Sequence, residues 1–277
     1  MTGRGGRDTL PSTLVAEPAA ERWSYIVRLE KVDMTFGRVQ ALSQIDFKVG
    51  RNEIVGLLGD NGAGKSTLIK IVSGVLRPTA GKVWVRDREV DLHAYSVRRA
   101  HDLRIETVHQ GQTLGEKQPL WRNLFVGRQI VGRLGFIDVK REKAIANQLL
   151  HEAIGFRGQG ITADSTVRDL SGGERQGIAI ARAMHFQADL IVLDEPTTAL
   201  AVNEVRKVLA FIEGVKAGGR AGIYIEHNLA HVHEVADRLV ILDRGAVVEE
   251  FTKGEITLPE LTRRMIALHE GKARGQS

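Results

Sequence analysis

The feature that most constrains the fold is the glycine-rich segment at residues 59–66, which reads GDNGAGKS. It fits the pattern G-x-x-x-x-G-K-[ST], and it lies between a nearly continuous apolar run at 53–59 and a helix-like segment at 66–74. A buried strand that leads through such a turn into a helix forms a phosphate-binding loop, because backbone N–H groups and the helix N-terminus point at phosphate oxygens. A glycine-rich turn with a surface lysine is the alternative, and the flanking strand and helix make it the weaker one.

The loop predicts that the chain binds ATP together with Mg²⁺. Lys65 would reach the β- and γ-phosphates, and Ser66 would coordinate the metal. The nucleotide-binding residues predicted in this segment are Gly59, Asp60, Asn61, Gly62, Ala63, Gly64, Lys65, Ser66 and Thr67.

Two adjacent carboxylates, Asp194 and Glu195, follow the apolar run at 190–193. They are expected at the carboxyl end of a buried strand, where α/β sheets hold their ligands. Asp194 would bind Mg²⁺ through water, and Glu195 would orient or deprotonate an attacking water. An acidic strand end before a proline turn is the alternative, and this short string alone does not exclude it.

The segment at 170–174 reads LSGGE and allows two interpretations. Ser171 and Glu174 before an apolar helix form a capping box. Two glycines in a first helical turn cost up to ~1 kcal/mol each in helix propensity, which makes sense if the backbone approaches an anion closely. Both interpretations are compatible, since the capped helix can still offer N–H groups to a phosphate.

Composition narrows the class of protein. With 43% hydrophobic and 26% charged residues, the 277-residue chain has the profile of a soluble globular protein of one or two domains. No run approaches the ~18 apolar residues of a membrane span, and the start has no apolar run of signal-peptide length, so we expect a cytoplasmic protein. The lack of cysteine excludes disulfides, thiolate metal sites and cysteine nucleophiles. A net charge of +5 fits nucleic acid, an anionic membrane surface or a phosphate ligand equally well.

Hydrophobic patterning predicts an α/β fold. Residues 1–24 lack periodicity and are expected to form a disordered arm, whereas alternation at 26–31 and around Trp84 predicts a partly antiparallel sheet. Strand-like runs then alternate with helical segments, which indicates a parallel sheet in the core. The predicted helices lie at 141–155, at 171–185 and after Thr257, and the predicted core strands at 189–194, 222–226 and 239–243.

Taken in chain order, the motifs at 59–66, 170–174 and 190–195 resemble those of ATP-binding-cassette ATPases. The resemblance covers almost the whole chain from residue 26. The resemblance adds Phe36, where the family stacks adenine, Gln110, at the family's Q-loop, and His227, at its switch histidine. It implies catalytic roles for Lys65, Gln110, Glu195 and His227, and metal ligation by Ser66, Gln110 and Asp194. The LSGGE segment at 170–174 corresponds to the family's signature motif. The resemblance also implies that ATP lies between the glycine-rich loop of one copy and the signature of a second copy, so that Ser171, Gly172 and Gly173 would act in trans.

The resemblance further implies a P-loop NTPase (RecA-like) core with an antiparallel β-subdomain and an inserted α-helical subdomain. The core with its β-subdomain would comprise residues 25–110 and 188–277 of a single ATPase domain at 25–277. The helical subdomain would comprise about 111–187.

Local segments are similar to the ATPase subunits of monosaccharide importers of the ribose, xylose and fructose type. The segments are 59–62, 105–110, 123–128, 227–228 and 234–238. Many such ATPases carry two cassettes in one chain, whereas this sequence has one and would pair as a homodimer. The implied partners are membrane permease subunits and, indirectly, a periplasmic or extracellular sugar-binding protein. The implied location is peripheral, on the cytoplasmic face of the cell (inner) membrane, and no nucleic-acid partner is expected.

Two departures from the family pattern bear on the rate of hydrolysis. Glu226 precedes the switch histidine where Ser or Thr is common, and Ala201 stands in the D-loop where Asp or Gly is frequent. Successive side chains at a strand end point to opposite faces, so Glu226 is expected to face away from the phosphates. A slow nucleotide switch and a soluble cassette ATPase that acts on nucleic acid or translation are the alternatives to a transport ATPase.

Two further features are open to more than one interpretation. His227, His231 and His233 could suggest a metal cluster, but no convincing carboxylate or cysteine completes the ligand set. The segment after Gln110 is expected to expose Leu120, Trp121 and Phe125 to a membrane partner. Internal packing of Trp121 is the alternative.

Overall fold

The computed structural model describes residues 24–109, 115–152, 160–198 and 200–274. Gln110 and the arm at 1–23 therefore lie outside the described residues. The strands in chain order are β1 Tyr25–Phe36, β2 Val39–Gly50, β3 Ile54–Leu58, β4 Ala80–Val85, β5 Arg88–Glu89, β6 Ile105–His109, β7 Leu190–Asp194, β8 Ala221–Ile225, β9 Arg238–Asp243 and β10 Ala246–Thr252. The α-helices are α1 Lys65–Val72, α2 Val97–Asp102, α3 Leu120–Leu124, α4 Val139–Glu152, α5 Gly172–His185, α6 Val202–Ala217, α7 Leu229–Val235 and α8 Leu258–Arg274.

The strands form two sheets. The first is antiparallel, with the strand order β2-β1-β4-β5. The second has the order β10-β9-β3-β8-β7-β6 and is parallel except for β10, which pairs antiparallel with β9 at the edge. All residues of β3 and β8 are buried, as expected for central strands of a parallel sheet that is covered on both faces.

Alternate side chains of the parallel sheet enter two different hydrophobic clusters. Val55 and Leu57 of β3 join the cluster that the antiparallel sheet and α1 complete. Ile54 and Leu58 join the cluster on the opposite face, with residues of α5, α6, α7 and α8. This two-sided burial fixes β3 in the centre, and the glycine-rich loop begins where β3 ends.

A third hydrophobic cluster lies among α3, α4 and α5. Its members include Leu120, Trp121 and Phe125, of which Trp121 is 7% exposed and the other two are fully buried. The expectation that these three side chains are exposed to a membrane partner is therefore wrong. They are apolar because they form the core of the region that contains α3, α4 and α5, which we call the helical region. The alternative interpretation, internal packing of Trp121, is confirmed.

The predicted elements agree with the structure to within a few residues. The helix predicted at 171–185 is α5, and the helix predicted after Thr257 is α8, where the Glu260 N–H donates to the Thr257 hydroxyl. The helix predicted at 141–155 begins two residues earlier, at Val139, and its end lies outside the described residues. Among the described helices, none has the length and apolar character needed to cross a bilayer.

Candidate functional site

The glycine-rich loop connects β3 to α1 through backbone conformations that suit glycine. Gly59, Gly62 and Gly64 all have positive φ. A Cβ at Gly59 would lie 2.4 Å from the carbonyl oxygen of Leu242 on β9, so a larger residue there would force the loop away from the sheet. Gly64 is the N-cap of α1 and offers no side chain to cap it. A helix N-terminus that no side chain caps can attract an anion through its N–H groups and the helix dipole.

Lys65 is folded back over the loop that precedes it. Its side-chain Nζ donates to the carbonyl oxygens of Gly59, at 2.7 Å, and Asp60, at 3.1 Å. The residue is only 8% exposed. These bonds hold the ammonium group of Lys65 against the carbonyl oxygens of the loop.

The loop forms the floor of an open pocket of about 350 Å³. This volume is within the ~300–1,000 Å³ range of small-molecule sites, and the polar loop with its cation fits a triphosphate. The exposed residue Phe36 and the acidic residue Glu195 also line the pocket. The predicted site residues that line the pocket are Phe36, Asp60, Asn61, Gly62, Ala63, Gly64, Lys65, Ser66, Thr67 and Glu195.

Glu195 and His227 meet at the carboxyl ends of β7 and β8, although 32 residues separate them in sequence. Their side chains approach to 2.9 Å between Glu195 Oε1 and His227 Nε2. Asp194 precedes Glu195 as the last residue of β7, where it pairs with Ile225 of β8. Parallel strands bring these side chains to one edge of the sheet, the edge at which the glycine-rich loop also begins.

Glu226 does not line the loop pocket, but the alternation of strand side chains is not the reason, because β8 ends at Ile225 and His227 does not line that pocket either. Glu226 lies just beyond the strand. Its carboxylate is buried, and it accepts hydrogen bonds from the backbone N–H groups of Thr197, at 3.4 Å, and His227, at 3.3 Å. Glu226 and His227 both line a separate cavity of about 370 Å³, together with Gly59, Asp60 and residues of α8. Burial, with a contribution from Glu226, raises the pKa of neighbouring Tyr224, which stays neutral. Glu226, which stands where Ser or Thr is common in the family, therefore contacts the backbone of His227 and does not line the loop pocket.

The signature segment begins α5 with the predicted capping box. The Glu174 N–H donates to the Ser171 hydroxyl at 3.2 Å, and the Ser171 N–H donates to the Glu174 carboxylate at 2.7 Å. The absence of a side chain at Gly173 also has a local reason, since a Cβ there would lie 2.4 Å from Glu204 Oε1 of α6. None of Ser171, Gly172 and Gly173 is among the described residues that line the loop pocket of the same chain.

The three histidines near residue 230 do not converge. Nε2 of His231 contacts the Asn228 amide at 3.2 Å, and Nε2 of His233 contacts the Ile256 carbonyl oxygen at 2.9 Å. His227 is directed to Glu195. In the part of the chain that the structure describes, no group of three potential metal ligands is found.

A partly buried cluster of ionisable side chains that the sequence did not indicate joins β6 to the segment after α3. Glu106 lies within β6, and its Oε1 is 2.6 Å from Nη2 of Arg128, which follows α3. His101 lies 3.7 Å from the other carboxylate oxygen. Burial raises the pKa of Glu106, and burial with the charges of Arg128 and Arg182 lowers the pKa of His101 to about 4. A glutamate inside the apolar strand pattern of 105–109 is the signal that could have indicated it.

A second contact that sequence reasoning missed links the loop to the last helix. Nδ1 of His269, on α8, lies 2.7 Å from Oδ2 of Asp60 in the loop. The two residues are 209 positions apart, so the sequence carries no signal for the pair. The C-terminal helix therefore touches the loop directly.

Comparison with known proteins assigns the chain to a family. The model of the ABC transporter family matches residues 42–198, more than half of the chain, and the chain belongs to this family of ATP-binding cassette ATPases. The xylose/arabinose import ATP-binding protein XylG of Sulfolobus acidocaldarius is 38% identical over 249 residues, which cover 90% of this chain and 97% of that protein. The ribose import ATP-binding protein RbsA of Caldanaerobacter subterraneus is 32% identical over 241 residues, but the match spans 87% of this chain and only 47% of that protein.

Solved structures show the same fold at lower identity. A nucleotide-free ATP-binding cassette from an ABC transporter superposes with a TM-score of 0.76 at 22% identity, covering 88% of this chain and 98% of the other. A dimeric cassette bound to ADP and Pi in a post-hydrolysis state has a TM-score of 0.68, also at 22% identity, covering 83% of this chain and 100% of the other. The predicted fold of a P-loop NTPase with mixed parallel and antiparallel sheets is confirmed.

Proposed function

We propose that this chain is the ATP-hydrolysing subunit of an importer that energises uptake of a monosaccharide through a separate permease. The observation that carries the proposal is the 2.9 Å contact between Glu195 and His227 at the edge of the pocket that the glycine-rich loop forms. A carboxylate held beside an anion-binding loop is the arrangement that hydrolysis of a phosphoanhydride requires.

The residues of the glycine-rich loop bind ATP. Backbone N–H groups of the loop and of the α1 N-terminus bind the phosphate oxygens, and Lys65 exchanges its bonds to the loop carbonyls for bonds to the β- and γ-phosphates. Phe36 stacks on the adenine ring from the open side of the pocket. The loop thereby fixes the γ-phosphate relative to Glu195.

The acidic strand end supplies the chemistry. Glu195 orients a water and accepts its proton as the water oxygen bonds to the γ-phosphorus, while the bond from that phosphorus to the β–γ bridging oxygen breaks and ADP leaves with the electron pair. His227 holds the carboxylate in place through the contact at 2.9 Å. Ser66 and Asp194, with Gln110, would hold Mg²⁺, which neutralises charge on the phosphates when bound. All of these groups except Gln110 lie within the described residues.

A second copy of the chain completes the site. The signature residues of one chain do not line its own pocket, so we assign Ser171, Gly172 and Gly173 to the nucleotide of the partner copy. The dimeric structure of a related cassette supports this assembly. We also propose that each copy divides into a core at 25–110 and 188–277 and a helical subdomain at about 111–187, which contains α3, α4 and α5.

The substrate class and the remaining partners follow from the relatives. XylG is named for import of xylose and arabinose, and the RbsA proteins for import of ribose. We infer a monosaccharide cargo, a permease partner and, indirectly, an external sugar-binding protein. The subunit would sit peripherally on the cytoplasmic face of the cell (inner) membrane.

The test is the replacement Glu195→Gln in the purified chain. Glutamine keeps the size of the side chain and its hydrogen bonds but cannot accept a proton, so hydrolysis should fall by about 10²-fold or more while ATP still binds and traps a dimer. Phosphate release, nucleotide titration and size-exclusion chromatography measure the three effects. Glu213→Gln, an exposed glutamate on α6, is the matched control and should keep the parental rate.

The outcomes also separate the alternatives. Hydrolysis by Glu195→Gln at the parental rate would remove Glu195 from the mechanism. A parent chain that binds ATP without turnover would support the nucleotide switch. Steeply salt-dependent binding of DNA or RNA would support the cassette that acts on nucleic acid.

A further inference from the structure

Two strongly exposed apolar side chains stand on the connection between α3 and α4. Leu134 is 86% exposed and Phe136 is 76% exposed, and they are the two most exposed large hydrophobic residues of the described chain. Val131 and Ile137 beside them are also exposed. We call residues 130–138 the apolar hairpin. A cluster of exposed, large apolar side chains usually marks a surface that a membrane or another protein covers.

The apolar hairpin is an ordered element with defined hydrogen bonds. Residues 131 and 137 form an antiparallel bridge, and the Gly132 N–H donates to the Phe136 carbonyl oxygen at 2.8 Å. At its base, the Ile130 N–H donates at 2.7 Å to the carboxylate of Glu142, which is fully buried. This anchor fixes the tip as a protrusion, and Leu134 and Phe136 lie at its end.

The exposed charges around the tip are mainly positive. Arg133, Lys140 and Arg141 are exposed. Of the acidic groups in the same segment, Glu142 is buried at the base, and Asp138, which accepts the Arg141 N–H at 3.0 Å, is half-buried. Three exposed basic side chains therefore outnumber one half-buried carboxylate around the tip. Apolar side chains at a protruding tip with a collar of basic residues match the two layers of an anionic membrane surface, hydrocarbon below and lipid phosphates above.

We propose that the apolar hairpin inserts Leu134 and Phe136 into the surface of an anionic lipid bilayer, with Arg133, Lys140 and Arg141 on the lipid phosphates. The occupant is lipid rather than a protein groove because the apolar residues protrude as a narrow tip and the flanking charge has the sign that anionic headgroups require. The contact is independent of the nucleotide chemistry. It would hold the helical region at the membrane while the core binds and hydrolyses ATP.

The experiment is co-sedimentation of the full chain with vesicles of phosphatidylglycerol and phosphatidylcholine, and with vesicles of phosphatidylcholine alone. The parent should bind the anionic vesicles more strongly, and added salt should weaken that binding. The double replacement Leu134→Ser and Phe136→Ser should lower the partition coefficient by about tenfold or more. Val202→Ser removes a side chain that is 73% exposed outside the hairpin and should bind like the parent.

Three results would overturn the proposal. They are no binding of the parent to anionic vesicles, equal binding by the double variant and the parent, or an equal loss in Val202→Ser. A double variant that binds vesicles normally but no longer assembles with permease subunits would identify a protein surface instead. ATP hydrolysis and the melting temperature of every variant, measured on the same samples, separate failure of this proposal from failure of the nucleotide function and from misfolding.

Discussion

At the scale of single residues, Glu195 combines an uncommon backbone conformation with a position in the lining of the loop pocket. Its φ is +50°, in the left-handed region that side chains with a Cβ avoid at a cost of about 1–2 kcal/mol. Eight other non-glycine residues of the described chain share this sign of φ, so the angle alone is not diagnostic. The bond from the Glu195 N–H to the Ile225 carbonyl oxygen, at 2.9 Å, holds the conformation and directs the carboxylate to His227.

Ser171 allows capping and phosphate contact to be separated. Ser171→Ala loses the N-cap and should lower stability by about 1 kcal/mol, whereas Ser171→Asn keeps a side-chain acceptor for the Glu174 N–H and should melt near the parent. If the hydroxyl also contacts the nucleotide of a partner copy, both variants should lose most of their ATP hydrolysis. Calorimetry and a phosphate-release assay measure the two quantities. Parental hydrolysis by Ser171→Asn would leave capping as the role of this side chain.

At the scale of elements, α3 owes its place to the residues that it buries. This helix is five residues long, and four of them are buried, so tertiary packing rather than helix propensity stabilises it. Its burial makes the cluster around Trp121 a structural core of the helical region.

We therefore expect Trp121→Ala to act through stability. The truncation should cost about 3–5 kcal/mol, as in other buried aromatic residues, and lower the melting temperature by several degrees. Trp121→Phe retains most of the buried area and should cost clearly less. Thermal unfolding by circular dichroism measures both. An unchanged melting temperature in the alanine variant would show that the ring contributes little to this cluster.

The cluster of Glu106, Arg128 and His101 couples β6 to the helical region through buried charge, and it gives a pH dependence with a definite sign. Because the pKa of His101 is lowered to about 4 in the folded chain, the unfolded chain binds more protons at this residue between about pH 6.5 and pH 4. The contribution of His101 to the free energy of unfolding is therefore complete above that window and is lost as the pH falls through it. Arg182 and Asp102 also act on His101, and the raised pKa of Glu106 contributes with the opposite sign.

The comparison of the parent with His101→Gln isolates this contribution. The loss of melting temperature from pH 7 to pH 4 should be smaller in the variant, because glutamine does not titrate. His93→Gln, which removes an exposed histidine, is the control for the loss of one imidazole. If the melting temperature falls with pH by the same amount in the parent and in His101→Gln, the lowered pKa of His101 does not contribute to the pH dependence.

At the scale of the whole molecule, the sequence predicted the elements better than their contacts. Continuous apolar runs identified β3 and β7 because strands buried on both faces need apolar side chains throughout. The capping pattern identified the start of α5, since local hydrogen bonds determine it. Such features depend on neighbours in the chain, which a sequence displays directly.

Contacts between distant segments could not be obtained in this way. The pair of Asp60 and His269 depends on where α8 packs, and nothing near either residue encodes that position. For Trp121, an apolar residue in a five-residue helix has no periodic polar face that would separate packing from exposure. The proximity of Glu195 and His227 was not predicted, because it requires β7 and β8 to be neighbours. The family resemblance implied only a catalytic role for each residue.

The central place of β3 has a consequence for how the chain opens. β3 is paired on both sides, with β8 and β9, and buried on both faces, so its amides should exchange with solvent deuterium only when the whole core unfolds. The glycine-rich loop is covalently continuous with the end of this strand. Local fluctuations can therefore free the edge strand β10 or the apolar hairpin while the root of the phosphate loop stays attached to the slowest-exchanging part of the molecule.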